Sequence, residues 1–270
     1  MASCRARTDS TSSTAPARSP PPDSGTRPPD RRCPAPSSRS PATVRSATPS
    51  RIRPATARGA TSLIVMLHGF GGNHTDALAG MSPAQAVALR VEDRPLAPMA
   101  MVTVDGGGGY WNPHPGDDPM GMVVDELLPM CGRQGLGAGS HKVGTMGISM
   151  GGYGAIVLAE KYPDRFAAVA AISPAVWTSY GEARDANAGA YSSPESFAAV
   201  DAVTHVRALE GKPVRVASGE DDPFHPGVQA LAAVLPRSAD VVFSPGCHSG
   251  PFFVSQEPPS LQFLSRHLTV

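Results

Sequence analysis

The sequence contains no apolar run that approaches the roughly 18 to 20 residues of a membrane-spanning helix. Its N-terminus is basic but lacks the apolar core of a secretory signal. The sequence therefore predicts no membrane span. It also predicts a cytoplasmic protein by default, or a secreted one if the true N-terminus differs from the one given.

Cysteine is scarce, with four residues in 270. No two of them form a Cys-x-x-Cys pair, and the eight histidines show no His-Glu-x-x-His spacing. Such spacing patterns are typical of zinc sites and of disulfide frameworks. The sequence therefore predicts no metal site.

Residues 1–58 contain no lysine, no glutamate and no aromatic residue, and Val44 and Ile52 are their only branched aliphatic residues. Arginine, proline, serine and threonine fill 40 of these 58 positions. Such a segment cannot bury enough apolar surface to offset the chain entropy lost on folding. The composition predicts a disordered tail at 1–58 and a single catalytic domain at 59–270.

The neutral net charge hides a division between these two parts, because the tail carries +8 and the domain carries −8. Three interpretations of the tail stay open: a solvated basic arm, an arm for nucleic acid or another anionic surface, and a misassigned start of the chain. The tail has no aromatic residues that would stack on bases. We therefore expect no nucleic-acid partner.

Short strand-like runs recur through the domain at 62–67, 100–104, 142–146, 167–172, 213–218 and 239–244. Helical patterns lie between or after them, near 83–91, 119–131 and 258–268. Strands that alternate with helices indicate a mostly parallel sheet with helices on both faces, a three-layer α/β fold. The stretch 173–212 is long for a connection, and it predicts a small cap after the fourth strand.

Gly147, Ser149 and Gly151 form a Gly-x-Ser-x-Gly motif between the run at 142–146 and an alanine-rich helical pattern. Strand, sharp turn and helix together are the context of a nucleophile elbow. The serine there adopts a strained backbone conformation, and the flanking glycines avoid a collision across the turn. The motif predicts Ser149 as a nucleophile.

The run at 62–67 leads directly into a His-Gly-Phe-Gly-Gly loop at 68–72. In hydrolases with a nucleophile elbow, one backbone N–H from such a loop joins the N–H of the residue after the nucleophile. Together the two amides hold the oxyanion of the tetrahedral intermediate. The expected donors are Phe70, with Gly71 as its alternative, and Met150.

Two later strand ends carry the other members of a catalytic triad. The acidic turn 220–222 follows the fifth run, and His248 follows the sixth. A carboxylate in this position can orient a histidine and stabilise its imidazolium. Asp222 is the preferred acid, with Asp221 and Glu220 as alternatives. The order Ser, Asp, His along the chain is that of the α/β-hydrolases.

A glycine-rich loop at 105–113 follows a strand and carries Tyr110 and Trp111. Open α/β sheets bind ligands at the carboxyl ends of their strands. These two residues, with Gly71 and with Trp177 at the start of the predicted cap, are the predicted substrate contacts. Ordinary packing stays the alternative for each aromatic residue.

These motifs resemble the esterase D-like group of α/β-hydrolases, which includes the formylglutathione hydrolases and the bacterial mycolyltransferases. The resemblance covers roughly residues 60–270, and its most specific part is the Ser-Met-Gly-Gly-Tyr-Gly-Ala run at 149–155. The other segments that carry it are 68–72, 105–107 and 247–248. This group usually has one or two further strands before the His-Gly loop, and the sequence shows no pattern for them.

The resemblance implies Ser149 as nucleophile, His248 as base and an acid at Asp222. It implies a serine esterase that hydrolyses a small-molecule ester without a cofactor. Acyl transfer to an alcohol, as in the mycolyltransferases, is the alternative within the same chemistry. A hydrolase-fold binding protein without turnover is the alternative of another class.

Overall fold

The computed structural model describes residues 61–81, 83–139 and 142–268, so the tail predicted at 1–58 lies outside the described residues. The described strands are β1 (Ser62–Leu67), β2 (Arg90–Val91), β3 (Arg94–Pro95), β4 (Met99–Thr103), β5 (Val143–Ile148), β6 (Ala168–Ile172), β7 (Val214–Gly219) and β8 (Asp240–Ser244). Six of them form a parallel sheet in the order β4-β1-β5-β6-β7-β8. Strands β2 and β3 form a separate antiparallel hairpin.

The described helices are α1 (Pro83–Ala88), α2 (Pro119–Gly121), α3 (Leu128–Arg133), α4 (Met150–Lys161), α5 (Tyr180–Ala186), α6 (Pro194–Ala198), α7 (His225–Val234) and α8 (Gly250–Leu268). A π-helical segment, Met122–Leu127, joins α2 to α3. Short 3₁₀ turns lie at His74–Asp76 and Val206–Leu209.

Strand β1 shows why the sheet is covered on both faces. Leu63 and Val65 point into one apolar cluster, whereas Ile64 and Met66 point into the other. Helix α4 and the segment from α2 to α3 pack in the first cluster, and α1 and α8 pack in the second. A strand that is buried on both faces reads as a continuous apolar run. The predicted three-layer α/β fold is confirmed.

Within the described ranges, no helix combines the length and the apolar character needed to cross a membrane. The same residues contain no group of three or more His, Cys, Asp or Glu side chains that could hold a metal ion.

Two helices have bounds that differ from the predicted ones. Helix α8 begins at Gly250 and runs through Pro258 and Pro259. A proline pair suggests a helix start. Here the helix already includes Glu257, the residue before the pair, whose side chain is fully buried and accepts the N–H of Met81 at 3.0 Å. Helix α1 ends at Ala88, because the β2–β3 hairpin follows directly.

The segment between β6 and β7 forms the predicted small cap, which contains α5 and α6. Two of the hydrogen bonds that join this segment to the rest of the domain involve α4 and the glycine-rich loop. The Tyr153 hydroxyl of α4 donates to the carbonyl oxygen of Val200 at 2.6 Å, and the Asn187 side-chain amide donates to the carbonyl oxygen of Gly108 at 2.7 Å. The second bond fixes the glycine-rich loop against the cap.

Glu160, near the end of α4, is a buried carboxyl group without compensation. It is 6% exposed, and neither carboxyl oxygen has a hydrogen-bond partner among the described residues. Burial, with a smaller effect from the charge of Asp201, raises the pKa of Glu160 to about 9. The folded protein therefore keeps this group protonated at neutral pH, whereas the unfolded chain ionises it near a pKa of about 4.3.

We expect this difference to lower the free energy of unfolding as the pH rises from the unfolded pKa to the folded one, because unfolding then releases the Glu160 proton. Glutamine cannot ionise, so Glu160→Gln should gain on the order of 4 kcal/mol over the wild type between pH 5 and pH 8, at about 1.4 kcal/mol per pH unit. Guanidinium unfolding across this range measures the effect, with the exposed Glu126→Gln as matched control. Parallel pH profiles for the wild type and Glu160→Gln would contradict the prediction.

Candidate active site

Ser149 lies in the turn between β5 and α4, in a strained backbone conformation with a positive φ of 57° and a ψ of −119°. The flanking glycines make this turn sterically accessible. A Cβ on Gly147 would overlap the carbonyl oxygen of Gly151, and a Cβ on Gly151 would overlap the carbonyl oxygen of Leu67. The motif thus presents Ser149 at the carboxyl end of β5, where its N–H donates to the Ile172 carbonyl oxygen at 2.9 Å.

His248, in the loop after β8, connects this serine to a carboxylate. Its Nε2 lies 2.8 Å from the Ser149 Oγ, and its Nδ1 lies 2.8 Å from the Asp222 Oδ2. An ionised carboxylate only accepts hydrogen bonds, so Nδ1 carries the proton and Nε2 accepts from the serine hydroxyl. In this tautomer Nε2 can take the proton of the serine.

Asp222 lies just past β7, and its side chain has no exposed surface. Its second carboxylate oxygen, Oδ1, accepts the N–H of Phe224 at 2.8 Å. The alternative acids, Asp221 and Glu220, are exposed to solvent. The structure therefore brings Asp222 to the imidazole of His248.

The loop after β1 lies against the nucleophile. A Cβ built on Gly69 would stand 3.6 Å from the Ser149 Cβ, and Phe70 is the next residue of this loop. Met150 is fully buried at the first position of α4, where a backbone N–H has no acceptor within the helix. Gly71, the alternative donor, follows in the same turn with φ 76°. Oxyanion binding by Phe70 and Met150 stays a prediction.

Trp111, predicted as a substrate contact, occupies a packing position instead. Its side chain is fully buried, and its Nε1 donates to the carbonyl oxygen of His68 at 3.2 Å. A Cβ on Gly106 or on Gly154 would collide with the indole ring. Tyr110 and Trp111 have consecutive positive φ angles of 55° and 60°. The chain reversal at these two residues turns the indole into the core, and the sequence gives no signal for that direction.

His68 fixes the glycine-rich loop, a role that the sequence analysis missed. The N–H of Gly106 donates to the His68 Nε2 at 3.0 Å, so Nδ1 carries the proton and donates to the carbonyl oxygen of Gly69 at 2.8 Å. The side chain is almost completely buried. A histidine directly after a buried strand was the available signal.

Of the other predicted contacts, Trp177 is half-buried and Tyr110 is buried in a row of aromatic rings, whereas Gly71 lies in the loop after β1. The Tyr110 ring lies 6.1 Å from the Phe70 ring and 6.0 Å from the Trp177 ring, measured between centroids. Tyr191 of the cap, which the sequence analysis did not single out, lies 5.5 Å from Tyr110. Burial raises the pKa of Tyr110 to about 12, so this phenol stays neutral. Phe70 is 54% exposed and stands at the outer end of the row.

Comparison with known families gives one match that spans more than half of the chain. A family model described as "Putative esterase" matches residues 39–238. This range begins ahead of the domain boundary predicted at residue 59. A search of curated protein sequences gives no significant match.

Several solved structures share the fold. An S-formylglutathione hydrolase from Agrobacterium tumefaciens is 17% identical, with a TM-score of 0.61 over 78% of this chain and 86% of that one. The fluorophosphonate-binding serine hydrolase FphF of Staphylococcus aureus is 14% identical, with a TM-score of 0.60 over 79% and 87%. MPT51 of Mycobacterium tuberculosis is 16% identical, with a TM-score of 0.60 over 79% and 91%. At these identities the similarity shows the fold alone.

Proposed function

Because the chain belongs to the esterase family, whose model matches residues 39–238, we propose that it is a serine esterase that works through an acyl-enzyme on Ser149. The predicted enzyme class, a carboxylic ester hydrolase, is confirmed by the family match. One observation supports the assignment of roles: two hydrogen bonds of 2.8 Å join Ser149, His248 and Asp222 in series.

Acylation follows from this series. Nε2 of His248 takes the hydroxyl proton while the Ser149 Oγ attacks the carbonyl carbon of the ester, whose oxygen becomes an oxyanion. The amides of Phe70 and Met150 hold that oxyanion. When the intermediate collapses, the bond to the alcohol oxygen breaks and the imidazolium gives its proton to the leaving alkoxide. Asp222 stays ionised throughout and stabilises the imidazolium.

Deacylation repeats the same steps with water. His248 takes a proton from water, the hydroxide attacks the acyl carbon, and the proton then returns to the Ser149 Oγ. The overall reaction converts an ester and water into a carboxylic acid and an alcohol. Residues of the chain perform every proton transfer, so the scheme uses no cofactor.

The partly exposed rings of Phe70 and Trp177, which both pack on the buried Tyr110, support an apolar, uncharged part of the substrate next to the reacting ester. An alcohol that reaches the acyl-enzyme in place of water would give acyl transfer instead of hydrolysis. Product analysis of a simple ester, with and without an added alcohol, separates the two outcomes. Carboxylic acid as the main product in excess alcohol supports the hydrolase, and a new ester as the main product supports the acyltransferase.

Labelling by a fluorophosphonate probe tests the proposal directly. Such a probe reacts with a serine that a general base activates, so the wild type should be labelled in proportion to its loss of esterase activity. Ser149→Ala should not be labelled. A hydrolase-fold binding protein without turnover would leave the probe unreacted and would refute the proposal.

A further inference from the structure

The imidazole of His248 packs against two phenyl rings from different parts of the chain. The Phe224 ring lies 5.1 Å away at an interplanar angle of 58°, and the Phe253 ring lies 5.0 Å away at 83°. Phe224 follows β7, whereas Phe253 lies in the first turns of α8. Both side chains are half-buried. These geometries are within the range of favourable aromatic pairs.

Each ring is held by its own neighbours. The Phe224 N–H donates to the Asp222 Oδ1 at 2.8 Å, and its ring packs edge-on against Trp177 at 4.9 Å. The N–H of Phe253 donates to the carbonyl oxygen of Ser249 at 3.0 Å, directly after the histidine. The two rings are therefore fixed relative to the acid and to the loop that carries the base.

The need for such support changes during the reaction. In the free enzyme, bonds to Asp222 and Ser149 orient the imidazole from its two nitrogens. Once the Ser149 Oγ is acylated, it has no proton to donate to Nε2. Only the hydrogen bond from Nδ1 to Asp222 then holds the imidazole. That single bond permits the ring to swing away from the line of attack. Packing against the two phenyl rings limits this motion while water approaches Nε2.

We propose that Phe224 and Phe253 are positioning residues that hold His248 in line during deacylation, an inference that rests on the proposed function. The contribution is geometric, because neither phenyl ring can accept or donate the reacting proton. A small misplacement of a general base is costly, since general-base catalysis needs the base within hydrogen-bond reach of the attacking water.

The test is burst kinetics with nitrophenyl acetate on Phe224→Leu, Phe253→Leu and the ring-retaining Phe224→Tyr and Phe253→Tyr. Leucine keeps the apolar character and the backbone N–H but removes the planar ring. We expect each leucine variant to lose about tenfold or more in the deacylation rate, with a burst close to one nitrophenol per folded enzyme. The tyrosine variants should stay within about threefold of the wild type.

The matched control is Phe243→Leu. The half-exposed Phe243 ring packs on His225, an imidazole outside the triad, at 4.8 Å and 70°. Loss of a phenyl–imidazole contact there should leave both kinetic phases unchanged. A low-field proton NMR signal from the His248 Nδ1–H adds a second readout, and it should broaden in the leucine variants at positions 224 and 253 but not in the control.

Three results would overturn the proposal. The deacylation rates of both leucine variants could stay within twofold of the wild type, the burst amplitude could fall in proportion to the rate, or the tyrosine variants could be as slow as the leucine variants. The second result would mean lost folded sites rather than a misplaced base. Should the leucine variants fail to fold, Phe224→Met and Phe253→Met replace them as the variants without a ring, and they are compared with the tyrosine variants. Failure of the proposed function looks different, because the wild type itself would then neither turn over nitrophenyl acetate nor react with a fluorophosphonate probe.

Discussion

Replacement of Ser149 by alanine is expected to lower kcat for a short-chain nitrophenyl ester by about 10⁶-fold, because the members of a triad act as a unit. The residual rate would come from the oxyanion amides and from substrate binding. The melting temperature should hardly change. The substitution removes one partly buried hydrogen bond, from the hydroxyl to His248, and alanine adopts the same positive φ of 57° as serine. Initial rates and a thermal melt on the same preparation measure both quantities.

Ser255→Ala is the matched control for this substitution. Ser255 is an exposed residue of α8, and its hydroxyl donates to the carbonyl oxygen of Phe252 at 2.7 Å. The Ser255→Ala variant should retain full esterase activity. An activity of Ser149→Ala within tenfold of the wild type would remove Ser149 from the mechanism and would leave the family assignment without its proposed nucleophile.

The sequence sufficed for the nucleophile because the determinants of its turn are local. Apolar residues before it make β5, small residues after it make α4, and the two glycines remove the Cβ atoms that would block the turn. The alignment of Ser149, Asp222 and His248 was predictable for a related reason. Each follows a strand of one parallel sheet, and the carboxyl ends of such strands meet at the same edge.

The side chains around the triad could not be predicted, because their positions depend on packing between distant segments. Phe253 reaches His248 only because α8 begins at Gly250, whereas the proline pair at 258–259 suggests a later start. Trp111 lies in a loop at the correct sheet edge, yet two consecutive positive φ angles turn it into the core. Neither feature leaves a periodic or compositional signal in the sequence.

Asp222→Asn is expected to lower kcat by on the order of 10⁴-fold, as in comparable triads in which the amide enforces the wrong histidine tautomer. The structure explains why the amide cannot avoid this. The Phe224 N–H needs an acceptor at the Oδ1 position, so the asparagine oxygen should stay there. Its NH₂ group would then face Nδ1 of His248, which would have to accept. Nε2 would carry the proton and could not take the one from Ser149.

Asp221→Asn tests this reasoning with the same chemical change one residue away. It removes the same charge from the same acidic turn, so any effect of the net charge on substrate approach is common to both variants. Asp221 is exposed, and its backbone N–H, which the substitution keeps, donates to the carbonyl oxygen of Gly246 at 2.9 Å. We therefore expect its rate to stay within about twofold of the wild type. If Asp221→Asn proved the more damaging of the two, Asp221 rather than Asp222 would be the acid that orients His248.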